Sequence, residues 1–482
     1  LEFRRVLFRS EPQTVFIIPG SDVKGMKAGL GDSYKFIEHG SFGVYTEDAD
    51  AADKTTALLK GTGKPIAPLI DSESQTVFDK GDVSVFIHVT RLATVYKDRL
   101  TEARERATQA LENAPAEVPG TPGINPKAIA DVVGQLLTLL MQGLEDTKSC
   151  TIAATISKEG LSFEDLVRVV PDSATDKLLR KSPPNSLSTL GSLPAGNLGY
   201  LGLHGDMTDL AQFGLKLSAT FLGDDDKNAK EFQAVLGEMQ KLKIGAVASS
   251  FGLGSADEGA LRTATVTEVD DPGKLRELSQ KLFKAMGTIE TGGMKQTYNV
   301  KPDAEKVGQN SVDVVNVTME LGDAAGPEGA MVERFLKVLY GPEGGTTRLT
   351  YLKDKALQTN GGGKGALEAL LSALDKKSES IGAADAYDAA RKRLGDKSNL
   401  LVLFDLPGFV RKAIELLVDS GAIPIPINLE GLRSLDIKSS FLGLSIATEP
   451  QGLRVKTSIP VEQTQGVAKI VMTIMAQLQA GQ

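Results

Sequence analysis

The sequence predicts an α+β fold with mainly antiparallel sheets covered by helices, built from about three repeated β-α-β-β-α cassettes with two related halves. Three observations predict it. Segments of period-two apolar alternation are interleaved with segments of helical spacing, so both element types are present. The alternating segments come in pairs joined by Gly-marked turns, as antiparallel neighbours require. One order recurs three times: strand, helix, strand, turn, strand, then Pro opening a helix.

Near the N-terminus, Thr14 to Ile18 and Phe42 to Tyr45 read as strands and Asp50 to Leu59 as a helix. The first cassette opens with the strand at 82–89, passes through helical sequence, and returns with Ser149 to Ile156. It then turns at Glu159-Gly160, runs Leu161 to Val170 and meets Pro171 before a helix from Ala174 to Leu179. The second starts at Asn197, returns with Ile244 to Leu253, turns at Glu258-Gly259, runs Leu261 to Val269 and meets Pro272 before a helix from Lys274 to Ala285. The third starts at Asn399, returns with Ile437 to Thr448, turns at Pro450 to Gly452, runs Leu453 to Ile459 and meets Pro460 before the closing helix. Two short matches support a relation between the second and third: Ala248-Ser-Ser-Phe251 with Lys438-Ser-Ser-Phe441, and Leu261-Arg262 with Leu453-Arg454.

Helical faces are explicit. Ile129, Val132, Val133, Leu136, Leu137, Leu140, Met141 and Leu144 fall on one side, as do Val467, Ile470, Val471, Ile474, Met475 and Leu478. Strand Leu453 to Ile459 alternates apolar and wet residues, as expected for a sheet with helices on one side. Val83 to Val89 and Leu400 to Leu406 are largely apolar on both faces and read as central strands, or as strands between a helix layer and another unit. The apolar phase of Leu435 to Ile446 switches near Phe441-Leu442, which predicts a β-bulge. A strand-to-helix order at Thr346 to Tyr351, Gly361 to Gly365 and Ala366 to Leu374 repeats that of the N-terminus, giving a domain plan of 11–190, 196–288 and 289–482. Lys181 to Thr189 and Gly287 to Gly293 are the boundaries, and the Pro-rich 114–126 is a loop.

The first ten residues, Leu1-Glu-Phe-Arg-Arg-Val-Leu-Phe-Arg-Ser10, resemble a translated sequencing adapter and are set aside as an artefactual leader. A signal peptide is then expected to be missing from view. A length of 482 residues suits about three units. Apolar residues at 41% and charged residues at 24% are ordinary globular values. The net charge of −8 argues against nucleic acid and favours solubility. The most apolar stretch, Ile129 to Met141, is interrupted by Asp131 and Gln135 and falls short of a membrane span.

Chemistry-bearing motifs are scarce. His39, His88 and His204 each stand alone, without metal-ligand spacing, and Cys150 has no sequence-local base. Neither a metal nor a cofactor is expected, and no catalytic residue stands out. The one weak anion-site candidate is the loop Asn360-Gly-Gly-Gly-Lys-Gly365, where Gly361, Gly362, Gly363 and Lys364 lead into a helix N-terminus. It departs from the P-loop, because Gln358 stands where the first Gly belongs and Gly365 replaces the metal-reaching Ser or Thr. Gly252-Leu-Gly254 with Gly259 reads as a hairpin, and Asp224-Asp-Asp226 as an acidic helix start.

The combination of Gly81-Asp-Val-Ser-Val-Phe86, Leu401-Val-Leu-Phe-Asp-Leu-Pro407 and the ending from Gly452 to Gln463 resembles uncharacterised planctomycete-type bacterial proteins, predicted to be exported and of unknown function. The resemblance implies an extracytoplasmic location, periplasmic or secreted, and carries over no catalytic residue. The favoured expectation is a non-enzymatic exported binding or structural protein, with an unknown protein or small ligand as partner. The alternatives are a hydrolase-type enzyme assembled from dispersed Asp, Glu, Ser or Lys, and a carrier of an apolar ligand or lipid along the Ile129 to Leu144 helix.

Overall fold

The computed structural model describes residues 15–19, 25, 27, 34–40, 42–62, 67–113, 126–205, 227–256, 259–291, 294–321, 326–342, 344–419 and 428–480. The stretches 114–125 and 224–226, singled out in the sequence, lie outside them. The chain divides into two compact units, 1–75 with 96–102, and 76–95 with 103–482.

In the first unit, β1 (Phe16–Pro19), β2 (Lys35–His39) and β3 (Phe42–Thr46) form an antiparallel sheet of order β1-β3-β2, followed by α1 (Ala49–Leu59). Asp48 caps α1 by accepting from the Ala51 N–H at 2.8 Å, which satisfies a donor that the first turn leaves free.

The elements from α2 (Ser72–Lys80) onward alternate as follows. β4 (Val83–Ile87) precedes α3 (Val89–Val95), α4 (Lys97–Glu112) and α5 (Pro126–Asp146). β5 (Thr147–Ser157) and β6 (Gly160–Val169) lead to α6 (Ala174–Arg180) and α7 (Ser188–Gly191). After β7 (Gly199–His204) come α8 (Lys227–Met239), β8 (Ile244–Leu253), β9 (Leu261–Val269) and α9 (Pro272–Met286). β10 (Thr288–Thr291), β11 (Met294–Val307) and β12 (Asn310–Leu321) precede α10 (Gly326–Tyr340), β13 (Gly345–Tyr351), β14 (Lys355–Asn360), α11 (Gly363–Asp375) and α12 (Asp385–Leu394). β15 (Leu400–Phe404), α13 (Leu406–Asp419), α14 (Leu429–Arg433), β16 (Leu442–Glu449), β17 (Gly452–Pro460) and α15 (Val461–Ala480) close the chain. The fold is α+β.

Strands β4 to β17 form a single antiparallel sheet of order β10-β11-β12-β13-β14-β9-β8-β7-β15-β16-β17-β6-β5-β4. Within it, β4-β5-β6, β7-β8-β9 and β15-β16-β17 are three-stranded meanders and β10 to β14 a five-stranded one. They join first strand to first strand at β7:β15, and last to last at β9:β14 and β6:β17. The pairing sets Leu261-Arg262 level with Leu453-Arg454. It does not align the two Ser-Ser-Phe segments: Phe251, opposite the first residue of β7, is level with Ile446, opposite the first residue of β15.

One face of the sheet is a covered core; the other is half-exposed over its middle strands and is covered by α9 toward β12, β13 and β14, where Leu275 clusters with Val269 and Ala356 and Arg276 reaches Asp313. Leu357, Val266, Leu401 and Leu403 are fully buried on the covered face with Leu367 and Leu370 of α11, Leu190 of α7 and Leu394 of α12. Each such Leu contributes about 1.5–3 kcal/mol by leaving water. On the other face Leu201, Val402, Thr265 and Gln358 are half-buried, so the period-two alternation separates dry from partly wet.

Two sequence expectations are corrected. Val83 to Val89 is not central: β4 is the terminal strand, and Val83 and Val85 are 62% and 46% exposed. The phase switch at Phe441-Leu442 marks the start of β16 and no bulge. Gln463 donates to Ser440 O and Oγ at 2.7 and 2.9 Å, so the backbone before Leu442 bonds to α15 and leaves the ladder. Register shifts fall instead at Thr147/Ser149, Ile244/Val247 and Lys301/Glu305. By contrast β15 is central, with Leu401 and Leu403 at 0% exposure.

Asp313 of β12 ties α9 to the sheet. It accepts from Arg276 Nε at 2.9 Å, Gln280 Nε2 at 2.8 Å and the Asp303 N–H at 2.9 Å, and is 2% exposed. Burial alone would raise its carboxyl, but these donors outweigh it and hold the pKa below the usual carboxylate range. A depressed folded pKa contributes stability that is present above the unfolded value and lost as pH falls through the folded one. Asp313→Asn is therefore expected to cost about 3 kcal/mol at neutral pH and to show a shallower further loss below about pH 4 than the parent. Urea midpoints of both proteins across that range check this.

Candidate functional site

The half-exposed face carries two adjoining cavities that meet at Thr263 of β9. One, of about 440 Å³, is lined by Leu201, Ser249, Phe251, Thr265, Val402 and Phe404, among others. The second, of about 390 Å³, lies over β9, β14 and β13 toward β11, against Asn360, Thr347, Gln296, Tyr298 and Tyr340. No residue lining either cavity is an Asp, Glu, Lys, Arg or His.

A polar ladder forms the floor. Ser249 and Thr265 share a hydroxyl bond at 2.8 Å, Asn360 Nδ2 donates to Thr263 Oγ1 at 2.7 Å, and Thr347 Oγ1 donates to Asn360 Oδ1. These residues lie on β8, β9, β14 and β13, each at a position whose side chain leaves the core. Cross-strand hydroxyl pairs add roughly 0.2–1 kcal/mol each to the sheet. A hydroxyl has one donor and two acceptor sites, so the ladder retains capacity toward a ligand.

Aromatic rings form one end. Phe251 and Phe404 flank Gly199 in adjacent strands, and their rings stack at 5.9 Å, 15° from parallel. Phe409 of α13 packs on Phe404 at 5.5 Å and on Phe251 at 6.4 Å. Gly199 makes this possible, because a Cβ there would lie 2.2 Å from the Phe251 ring.

Of the residues singled out in the sequence, Gly361 borders the second cavity beside Asn360, and the others lie elsewhere. Gly361, Gly362 and Gly363 all have φ between +60° and +68°, where a side chain is strained, and a Cβ on Gly361 would meet Leu261 O at 2.2 Å. The Gly run is thus required by the turn from β14 into α11, and Lys364 is exposed on its first turn. His88 Nδ1 accepts from the Arg91 N–H at 3.2 Å, and His204 Nδ1–H donates to Gly245 O at 2.9 Å. Five strands separate His88 on the β4 side from β7. His39 ends β2 in the first unit. Burial pushes the Cys150 thiol up, and the Asp165 carboxylate adds to this, so the thiol stays protonated. Among the described residues no group of three or more His, Cys, Asp or Glu is placed to hold a metal ion. No described helix is long and apolar enough to cross a membrane.

The groove residues were missed because each is unremarkable alone. The available signal was parity: Thr263, Thr265 and Thr267 alternate with core residues in one strand, and so do Gln358 and Asn360 in its neighbour. No protein-family model, curated protein or solved structure matches the chain.

Gly199→Ala is expected to displace Phe251 at a cost of about 1–3 kcal/mol. Thermal unfolding and the ring-current shifts around Phe404 check this, and unchanged shifts would show that the rings do not depend on the glycine.

Proposed function

We propose that the chain is a non-enzymatic binding protein that holds a neutral, polyhydroxylated ligand, such as a short glycan, along the half-exposed face of its large sheet. The observation that carries this reading is the joined pair of cavities whose lining holds hydroxyls, amides and aromatic rings without a single formal charge. General acid or base catalysis needs a titratable group within hydrogen-bond reach of the reacting atoms, and this lining offers only Tyr phenols. Burial raises the phenols of Tyr200 and Tyr298, Tyr200 to about 12, which keeps them protonated, and each already donates within the chain, Tyr200 from the core side to Pro194 O and Tyr298 to Gln296 Oε1. Sugar rings present apolar C–H faces and hydroxyl edges, which match the Phe251/Phe404 stack and the Thr–Asn ladder respectively. Combined volumes of this order suit a ligand of a few rings.

The resemblance of residues 81–86, 401–407 and 452–463 to exported planctomycete-type proteins supports action outside the cytoplasm. The common meander order and the in-register Leu-Arg pairs support an origin by duplication.

Thr265→Lys places an ammonium in the middle of the groove without touching the buried face. Against an array of neutral oligosaccharides, the parent is expected to retain a subset and the variant to lose them by about tenfold or more in affinity. Retention unchanged by Thr265→Lys, or no neutral oligosaccharide retained at all, would overturn the proposal.

A further inference from the structure

We infer that the free edge of β4 is a self-association site at which a second copy of this chain continues the sheet about a two-fold axis. Among the described residues β4 pairs only with β5, yet its sequence is that of a buried strand, and Val83 and Val85 are 62% and 46% exposed. An exposed apolar edge of this kind is a template for another strand. What that strand is follows from the sheet's own junctions.

β4 is the first strand of its meander. Elsewhere in the molecule two first strands, β7 and β15, meet antiparallel, with Leu201 opposite Val402 and Gly199 opposite Phe404. Matching the tight hairpins β5–β6 and β16–β17, which close at Ser157↔Gly160 and Glu449↔Gly452, places Val83 level with Leu400. The β7:β15 register transferred to two copies of β4 then puts Val85 opposite Val85 of the second copy, Val83 opposite its Ile87, and Asp82 opposite its His88. The flanking residues fit this register. In β7:β15 the His204 N–H donates to Asn399 O at 2.7 Å, and His88, the residue after β4, stands where His204 ends β7. The Asp82 carboxylate is turned to β5, accepting from the Ile156 N–H at 2.6 Å, so the edge's complementarity to itself rests on the apolar Val83, Val85 and Ile87. Ile156 on β5, 70% exposed on the same face, extends the apolar contact beyond the edge.

The full chain is expected to sediment as a dimer whose affinity is weakened about tenfold or more by Val85→Lys. In a Cys150→Ala background, Val85→Cys is expected to form an intermolecular disulfide on mild oxidation, because a facing non-hydrogen-bonded pair brings Cα atoms to about 4.5 Å. Val83→Cys should not, since its two copies would lie about four residues, or roughly 13 Å, apart. A chain that stays monomeric over about a hundredfold concentration range, a dimer untouched by Val85→Lys, or Val83→Cys cross-linking as readily as Val85→Cys would each overturn the inference.

Discussion

One antiparallel hydrogen-bond ladder, continuous through fourteen strands, is the constraint on which the rest depends. Because side chains alternate across a strand, the ladder forces every residue onto one of two faces, and where the helices cover each face decides which residues become core: α7, α11 and α12 on one side, α9 and Phe409 of α13 on parts of the other. Leu357, Val266, Leu401 and Leu403 went under the helices; Gln358, Thr265, Val402 and Phe404 were left on the half-exposed side. A slip of one residue at any junction would exchange the two sets. Buried anchors at the edges of the array oppose such slips. Asp313 fixes α9 against β12, and Arg454, bonded to both Glu449 and Glu164, joins β16, β17 and β6. The Ser398–Ser445 hydroxyl pair does the same within the dry layer.

Much of this was legible in the sequence, for identifiable reasons. Hairpins β5–β6, β8–β9 and β16–β17 were read within a few residues because period two, a Gly turn and a following Pro all act locally. The class followed from them. Local signals could not say where a strand sits in a sheet, so β4 and β15 looked alike although one is terminal and the other central. The strands β10, β11 and β12 went unread because Lys, Asn, Thr and Asp interrupt their alternation. Their pairing comes from mutual register over Met294 to Leu321 rather than from apolar pattern. The groove was invisible for a similar reason. It is made of Ser249, Thr263, Thr265, Thr347 and Asn360 from four strands, and only the sheet order brings them side by side.

Equivalent positions that differ are the best guide to where the sheet has been specialised. Arg262 and Arg454 occupy the same register place, and Glu449, one carboxylate partner of Arg454, is level with Gly254. Arg454 meets Glu449 there, whereas the guanidinium of Arg262 lies where a Gly254 side chain would stand, 2.1 Å from its ideal Cβ. Among the described residues the Arg262 Nε has no hydrogen-bond partner, and Gly362 borders it, a Cβ there lying 3.4 Å away. Thus one last-to-last junction, β6:β17, is locked by carboxylates, while the other, β9:β14, has exchanged a carboxylate for backbone. The opposite face of β9:β14 carries the Thr263–Asn360 part of the hydroxyl ladder, where β6:β17 carries Val455 beside Asp165 and Thr457 beside Phe163. Both departures, one on each face, fall on the same pair of strands. One of that pair, β9, is the strand at which the two cavities meet, so the carboxylate-free junction and the hydroxyl ladder share the strand on which the proposed groove is centred.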